Sequence, residues 1–123
     1  MDPSEKECTF EISAESRLGR VYRCRFHGHF QIEFGQMLLT YFDIWSLEFF
    51  ADEIGSIDSK DESNYCTYLR RKIIFQPIGS ACVYGFMPHE INDLQGLMAQ
   101  ATSFLDLEAY LQRKGISFRK EKE

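Results

Sequence analysis

Cys24 and His27 stand three positions apart across a turn, with Cys8 and His29 close by in sequence. A C-x-x-H turn sets a thiolate and an imidazole on one side of a tight bend, which is half of a tetrahedral zinc site. The other half has no pattern of its own. No second C-x-x-C or H-x-x-x-H occurs, so Cys8, His29 or Cys66 must be recruited through the fold. The competing reading is structural: Cys24 packs as a small hydrophobe between Tyr22 and Phe26, and His27 and His29 are exposed turn residues.

Other chemical arrangements are weaker. His89-Glu90-Ile91-Asn92-Asp93 approximates the H-E-x-x-H zinc motif with aspartate in the last place. Pro88, however, sets this segment in a first helical turn, where Glu90 and Asp93 answer the helix dipole. Ser80 or Cys82 with His89 is only a pair within one stretch, and Cys82 reads as a buried mid-strand thiol. No G-x-S-x-G, phosphate loop or calcium loop is present. The carboxylates of 48–62 read as a solvated helix face running into a loop.

The chain has 123 residues, 44% hydrophobic and 15% aromatic, enough for the core of a single domain spanning 1–123. Eleven phenylalanines mean either an unusually aromatic core or aromatic surface meant for another chain. The net charge of −5 opposes non-specific binding to nucleic acid or anionic lipid. No run approaches the ~20 apolar residues of a membrane span. The first residues are acidic and polar, and four cysteines are far below scaffold density, so reduced thiols in the cytoplasm are expected.

The elements that must position these groups follow from periodicity. Residues 30–54 and 74–98 repeat one strand–glycine–strand–helix pattern 44 positions apart. Gly35 meets Gly79, Leu39 meets Val83, Phe42 meets Phe86, Leu47 meets Ile91, Phe50 meets Leu94 and Ile54 meets Met98. The halves of this ββα pseudo-repeat are about 8–55 and 65–101. Upstream, 8–12 and 21–26 read as strands joined at Gly19, and 65–75 and 81–86 as strands of the second half. Pro77 and Gly79 suit positions i+1 and i+3 of a type I turn. A three-residue loop at 27–29 would pair Phe26 with Phe30, Cys24 with Ile32 and Tyr22 with Phe34, leaving Arg23 and Arg25 on the wet face. Leu47, Phe50, Ala51 and Ile54 form one helical stripe, capped by Thr40 or Asp43 and ended by Gly55. Ile91, Leu94, Met98 and Ala101 form a second. A third short helix is expected at about 106–114, with Leu107, Tyr110 and Leu111 on one face and Gly115 as its stop.

The run 19–38, Gly-Arg-Val-Tyr-Arg-Cys-Arg-Phe-His-Gly-His-Phe-Gln-Ile-Glu-Phe-Gly-Gln-Met-Leu, is followed by an aromatic helix. It resembles a small bacterial domain family of unknown function, which has an early cysteine, a G-x-v-x-x-C-x-x-C element and an F-G turn. The resemblance extends over Cys8 to Ala101. His27 stands where that pattern has its second cysteine, and the resemblance implies that ligand ability is kept there. It implies no activity.

The reading is an α+β domain: an antiparallel sheet of about six strands with two main helices and a short third on one face. Its function is a non-catalytic protein-interaction or regulatory module. Trp45 and Phe49 lie four apart and off the buried stripe, with Phe42 and Tyr41 beside them, as a homodimer or partner contact. A second class is a zinc-binding module built on Cys24 and His27 with Cys8 and His29. A third is a single-strand nucleic-acid binder of whirly-like or PUR-like layout, with Arg20, Arg23, Arg25, Arg70, Arg71 and Lys72 gathered on one sheet face.

Overall fold

Apolar–polar alternation marks β1 (Phe10–Glu15) and β3 (His29–Phe34), which join β2 (Gly19–Cys24) and the more continuously apolar β4 (Met37–Tyr41) in an antiparallel meander of order β1-β2-β3-β4. The structure is a computed structural model and describes residues 9–24, 26–61, 65–66 and 72–115, with the backbone alone for Tyr65, Cys66 and Lys72. Helix α1 (Ile44–Gly55) follows two residues after β4. A second antiparallel sheet holds β5 (Tyr65–Cys66), β6 (Lys72–Phe75) and β7 (Tyr84–Phe86), and α2 (Pro88–Arg113) ends the described fold. The chain is thus α+β.

The strands form two sheets, not the single sheet of about six expected. Phe34 and Phe86 meet edge to face with centroids 5.8 Å apart. Tyr41 lies against Phe50 and Phe50 against Phe75, at 5.7 and 5.8 Å. Rings therefore fill the space where a continuous sheet would need strand backbones about 5 Å apart. The stretch 65–75 is likewise not one strand, because its two ends pair with each other, Tyr65 with Ile73 and Cys66 with Lys72.

The ββα order recurs in both halves, and the helical matches agree: Leu47 and Ile91, Phe50 and Leu94, Ile54 and Met98 are all buried. The strand matches do not, since Phe42 is exposed and Phe86 buried. At 77–80 the turn is shifted by one residue from expectation. Ser80 N donates to Pro77 O at 3.0 Å, which puts Gly79, at φ +85°, in the third position. That is the type II arrangement, whose positive φ needs glycine there.

The expected third helix is part of α2, which runs unbroken through 102–105. Thr-Ser-Phe-Leu contains no glycine or proline, and Thr102 Oγ1 donates to Met98 O at 3.0 Å, an accommodation helices tolerate. Leu107 and Tyr110 are exposed, and Leu105 and Glu108 occupy the buried side instead. Asp43 caps α1, its Oδ1 accepting from Ser46 N at 2.7 Å. Gly55 lies inside α1, and Ser56 is the C-cap in right-handed conformation.

Register between β2 and β3 also differs from expectation. Cys24 faces His29, Arg23 faces Phe30, Tyr22 faces Gln31 and Val21 faces Ile32. Four residues, not three, span the turn, and Gly28 N bonds Cys24 O at 2.8 Å. Phe30, Ile32 and Phe34 therefore share their face with Val21 and Arg23, while Phe26 is exposed. The charge is tolerated because Arg23 Nη1 lies 2.7 Å from Glu108 Oε1 of α2. The contact is Coulombic: the carboxylate sits off the N–H directions of Nη1. Helix α2 covers β1 and β2, α1 covers β3 and β4, and α2 also reaches β6 and β7.

Candidate functional site

On α1 the 100° step per residue sends Leu47, Phe50 and Ile54 inward and Trp45 and Phe49 outward. Trp45 is 75% exposed, Phe49 50% and Phe42 68%, with Ile78 at 67% on the neighbouring turn. Tyr41, Trp45, Ser46, Phe49, Glu53 and Ile78 line an open groove of about 370 Å³. Its floor is β4 and α1, and its far wall is the turn held by Gly79.

The groove is electrically one-sided. Glu48, Asp52 and Glu53 lie on the outward side of α1 beside the two rings, and α1 carries no lysine or arginine. Partial burial pushes the Glu53 carboxyl up, against the Ile78 N–H that donates to it. Tyr41 is pushed up to about 12, first by burial and then by the charge of Glu53 and by Tyr84. The amide of Ser46 and its side chain hold Asp43 below the usual carboxylate range. Aromatic faces and the carboxylates of α1 are what the groove offers.

Ile78, Ser46 and Glu53 escaped the sequence reading. An isoleucine at a turn apex between proline and glycine was the available signal, because an apolar side chain there has no core of its own to enter. Glu53 follows Phe49 by one helical turn, the spacing that places two side chains on one face.

The Cys24–His27 pair forms as the C-x-x-H spacing predicts, with Cys24 Sγ 3.3 Å from His27 Nδ1. Cys24 is completely buried, on the β2 face opposite Val21 and Arg23. The His27 ring stacks on His29 at 5.4 Å, and His29 meets the edge of Phe42 at 4.9 Å. Cys8 lies outside the described residues. Among the described residues no group of three or more histidine, cysteine, aspartate or glutamate side chains is placed to hold a metal ion.

The remaining candidates are absorbed by the fold. Asp93 Oδ2 accepts from Ser16 Oγ at 2.6 Å and Leu18 N at 3.1 Å, and Glu90 Oε1 accepts from Met87 N at 2.6 Å. Both acids of the H-E-x-x-D run thus fasten backbone. Cys82 is exposed and precedes β7, correcting its reading as a buried strand thiol. Arg20 and Arg23 point to opposite faces of β2: Arg20 pairs with Glu15 at 2.9 Å, and Arg23 lies beneath α2. They do not gather on one face as a nucleic-acid surface requires. Arg25, Arg70 and Arg71 lie outside the described residues. Among the described residues no helix is long and apolar enough to cross a membrane.

The fold and groove define an α+β protein with an aromatic, acid-flanked helix face and two sheets joined by rings. Residues 7–121 match a family of unknown function, DUF6686, and the chain belongs to that family. Neither a curated protein nor a solved structure matches it.

Proposed function

We propose that the chain is a non-catalytic protein-interaction or regulatory module of the cytoplasm, docking through the Trp45–Phe49 face of α1. One observation carries this reading: Phe42, Trp45, Phe49 and Ile78 stand half or more exposed on adjoining elements while the core beneath them is complete. Aromatic groups left in water cost free energy, and such patches mark contact surfaces. The protein contains a single tryptophan, so its emission reports on this face alone. The test is light scattering with tryptophan emission on wild type and on Trp45→Ser/Phe49→Ser. A solvent-like emission that turns apolar on association, with association lost in the double variant, supports the reading. A monomer whose Trp45 emits as a buried indole would show that the chain covers its own aromatics, and the reading fails.

The Cys24 Sγ–His27 Nδ1 approach of 3.3 Å supports a second reading, a small zinc-binding module. Two donors bound to one tetrahedral zinc stand about 3.5 Å apart, from bond lengths near 2.3 and 2.0 Å. Elemental analysis of purified wild type and Cys24→Ala decides it: one equivalent of zinc lost in the variant, with reduced stability, is the expected result. Metal-free wild type protein after purification in zinc-containing buffer removes this reading.

A further inference from the structure

Resting on the docking role of the Trp45–Phe49 face, we infer its occupant: a cationic amphipathic segment of a partner protein, with apolar side chains on the two rings and lysine or arginine against the flanking carboxylates. The argument is charge. The elements that form the groove are β4, α1 with its cap, and the turn at 76–83. Their charged residues are Asp43, Glu48, Asp52 and Glu53, all acidic. The remainder of the lining is Tyr41, Trp45, Ser46, Phe49 and Ile78.

A second copy of the chain fits this surface poorly. A twofold interface sets one patch against itself, so Glu48, Asp52 and Glu53 would meet their own counterparts. Like charges brought together across an interface repel, which is one way wrong partners are rejected. The net charge of −5 opposes self-approach as well. A cationic segment gains at each of these points. Its ammonium or guanidinium groups meet the carboxylates, and one placed over the Trp45 ring is attracted by the ring quadrupole. The apolar seam of Trp45 and Phe49, spaced i and i+4, matches the anchor spacing of an amphipathic helix laid alongside α1.

The experiment is a titration of full-length protein, followed by Trp45 emission, with two tryptophan-free peptides. One is an amphipathic leucine–lysine peptide, and the other is the same peptide with glutamate in place of each lysine. The expected result is a saturable blue shift with the lysine peptide, weakening with salt, and none with the glutamate peptide. The variant Glu48→Lys/Asp52→Lys changes outward-facing residues and should weaken lysine-peptide binding by roughly tenfold or more. Its circular dichroism and melting temperature check that it folds. Equal binding of both peptides, or binding of neither while Trp45 emission stays solvent-like, overturns the cationic occupant. A blue shift that grows with protein concentration alone assigns the face to a second copy, which overturns this inference and leaves the docking reading standing. A buried-type emission from the dilute monomer sinks the docking reading itself.

Discussion

Arg23 is the residue at which local pattern and final structure part most clearly. Its period-2 neighbours place it among charged residues on a wet face, yet it lies under α2 against Glu108, 85 positions away. Breaking a largely buried ion pair costs about 3–5 kcal/mol, and Arg23→Ala should fall at the lower end of that range in urea unfolding, because Glu108 is held by a further interaction. The double variant Arg23→Met/Glu108→Leu should recover most of that loss, because it removes both charges and keeps the volume. Tyr41 gives a prediction in pH. Its folded-state pKa of about 12 exceeds the ordinary value of 10, so the folded form keeps its proton where the unfolded chain has lost it. The stability this contributes is complete below about pH 10 and is lost as pH rises through the folded value. Alkaline melting curves should therefore steepen between pH 10 and 12, and Tyr41→Phe should flatten them. The Cys24–His27 contact was legible in sequence because both partners lie within four residues; Arg23 was not, because its partner comes from the last turns of α2, 85 positions on.

Among the elements, α2 does the most to hold different parts of the chain together, and it does so through polar side chains. Asp93 fastens the β1–β2 turn, Gln100 Oε1 accepts from Glu15 N at 2.7 Å, and Gln95 Nε2 donates to Ile54 O in the last turn of α1 and to Ile57 O just past it. Asn92 Oδ1 accepts from Ser59 Oγ at 2.8 Å. The continuity of α2 through 102–105 predicts that Thr102→Pro costs about 3 kcal/mol or more, by removing an amide donor and crowding the Met98 carbonyl. A junction between two short helices would absorb proline at far smaller cost, so thermal denaturation of this one variant separates the alternatives. The two helix stripes at 47–54 and 91–101 were legible because the 3.6 period repeats over several turns within one segment. Strand register was not. Val21 is the single strongly apolar residue in the inward phase of β2, whereas Tyr22, Cys24 and Phe26 favour the other phase, and only the covering helix reverses that preference.

At the scale of the whole molecule, two sheets share one core, with Phe30, Ile32, Phe34, Ile73 and Phe86 in the same buried cluster as both helices. Phe50 sits between Tyr41 of the first sheet and Phe75 of the second. Phe50→Ala should accordingly destabilise by about 3–5 kcal/mol. Hydrogen exchange should show amides of β3 and β6 losing protection together; loss confined to one sheet would show that the sheets unfold as separate units. The aromatic load seen in the composition is thus divided, part filling the space between sheets and part left on the outside of α1.

The order of elements along the chain also governs how the protein is made. Helix α2 is the last described element, yet it lies over β1 and β2, the first to emerge. A ribosome adding about 5–20 residues per second needs several seconds to pass from β4 to the end of α2. Throughout that interval α1 can cover only β3 and β4, and Val21 and Ala14 of the β1–β2 side have no helix over them. Transiently exposed apolar surface is prone to aggregate, so a ribosome stalled within α2 should release a sticky product whose β1–β2 side is bare, not a smaller working protein.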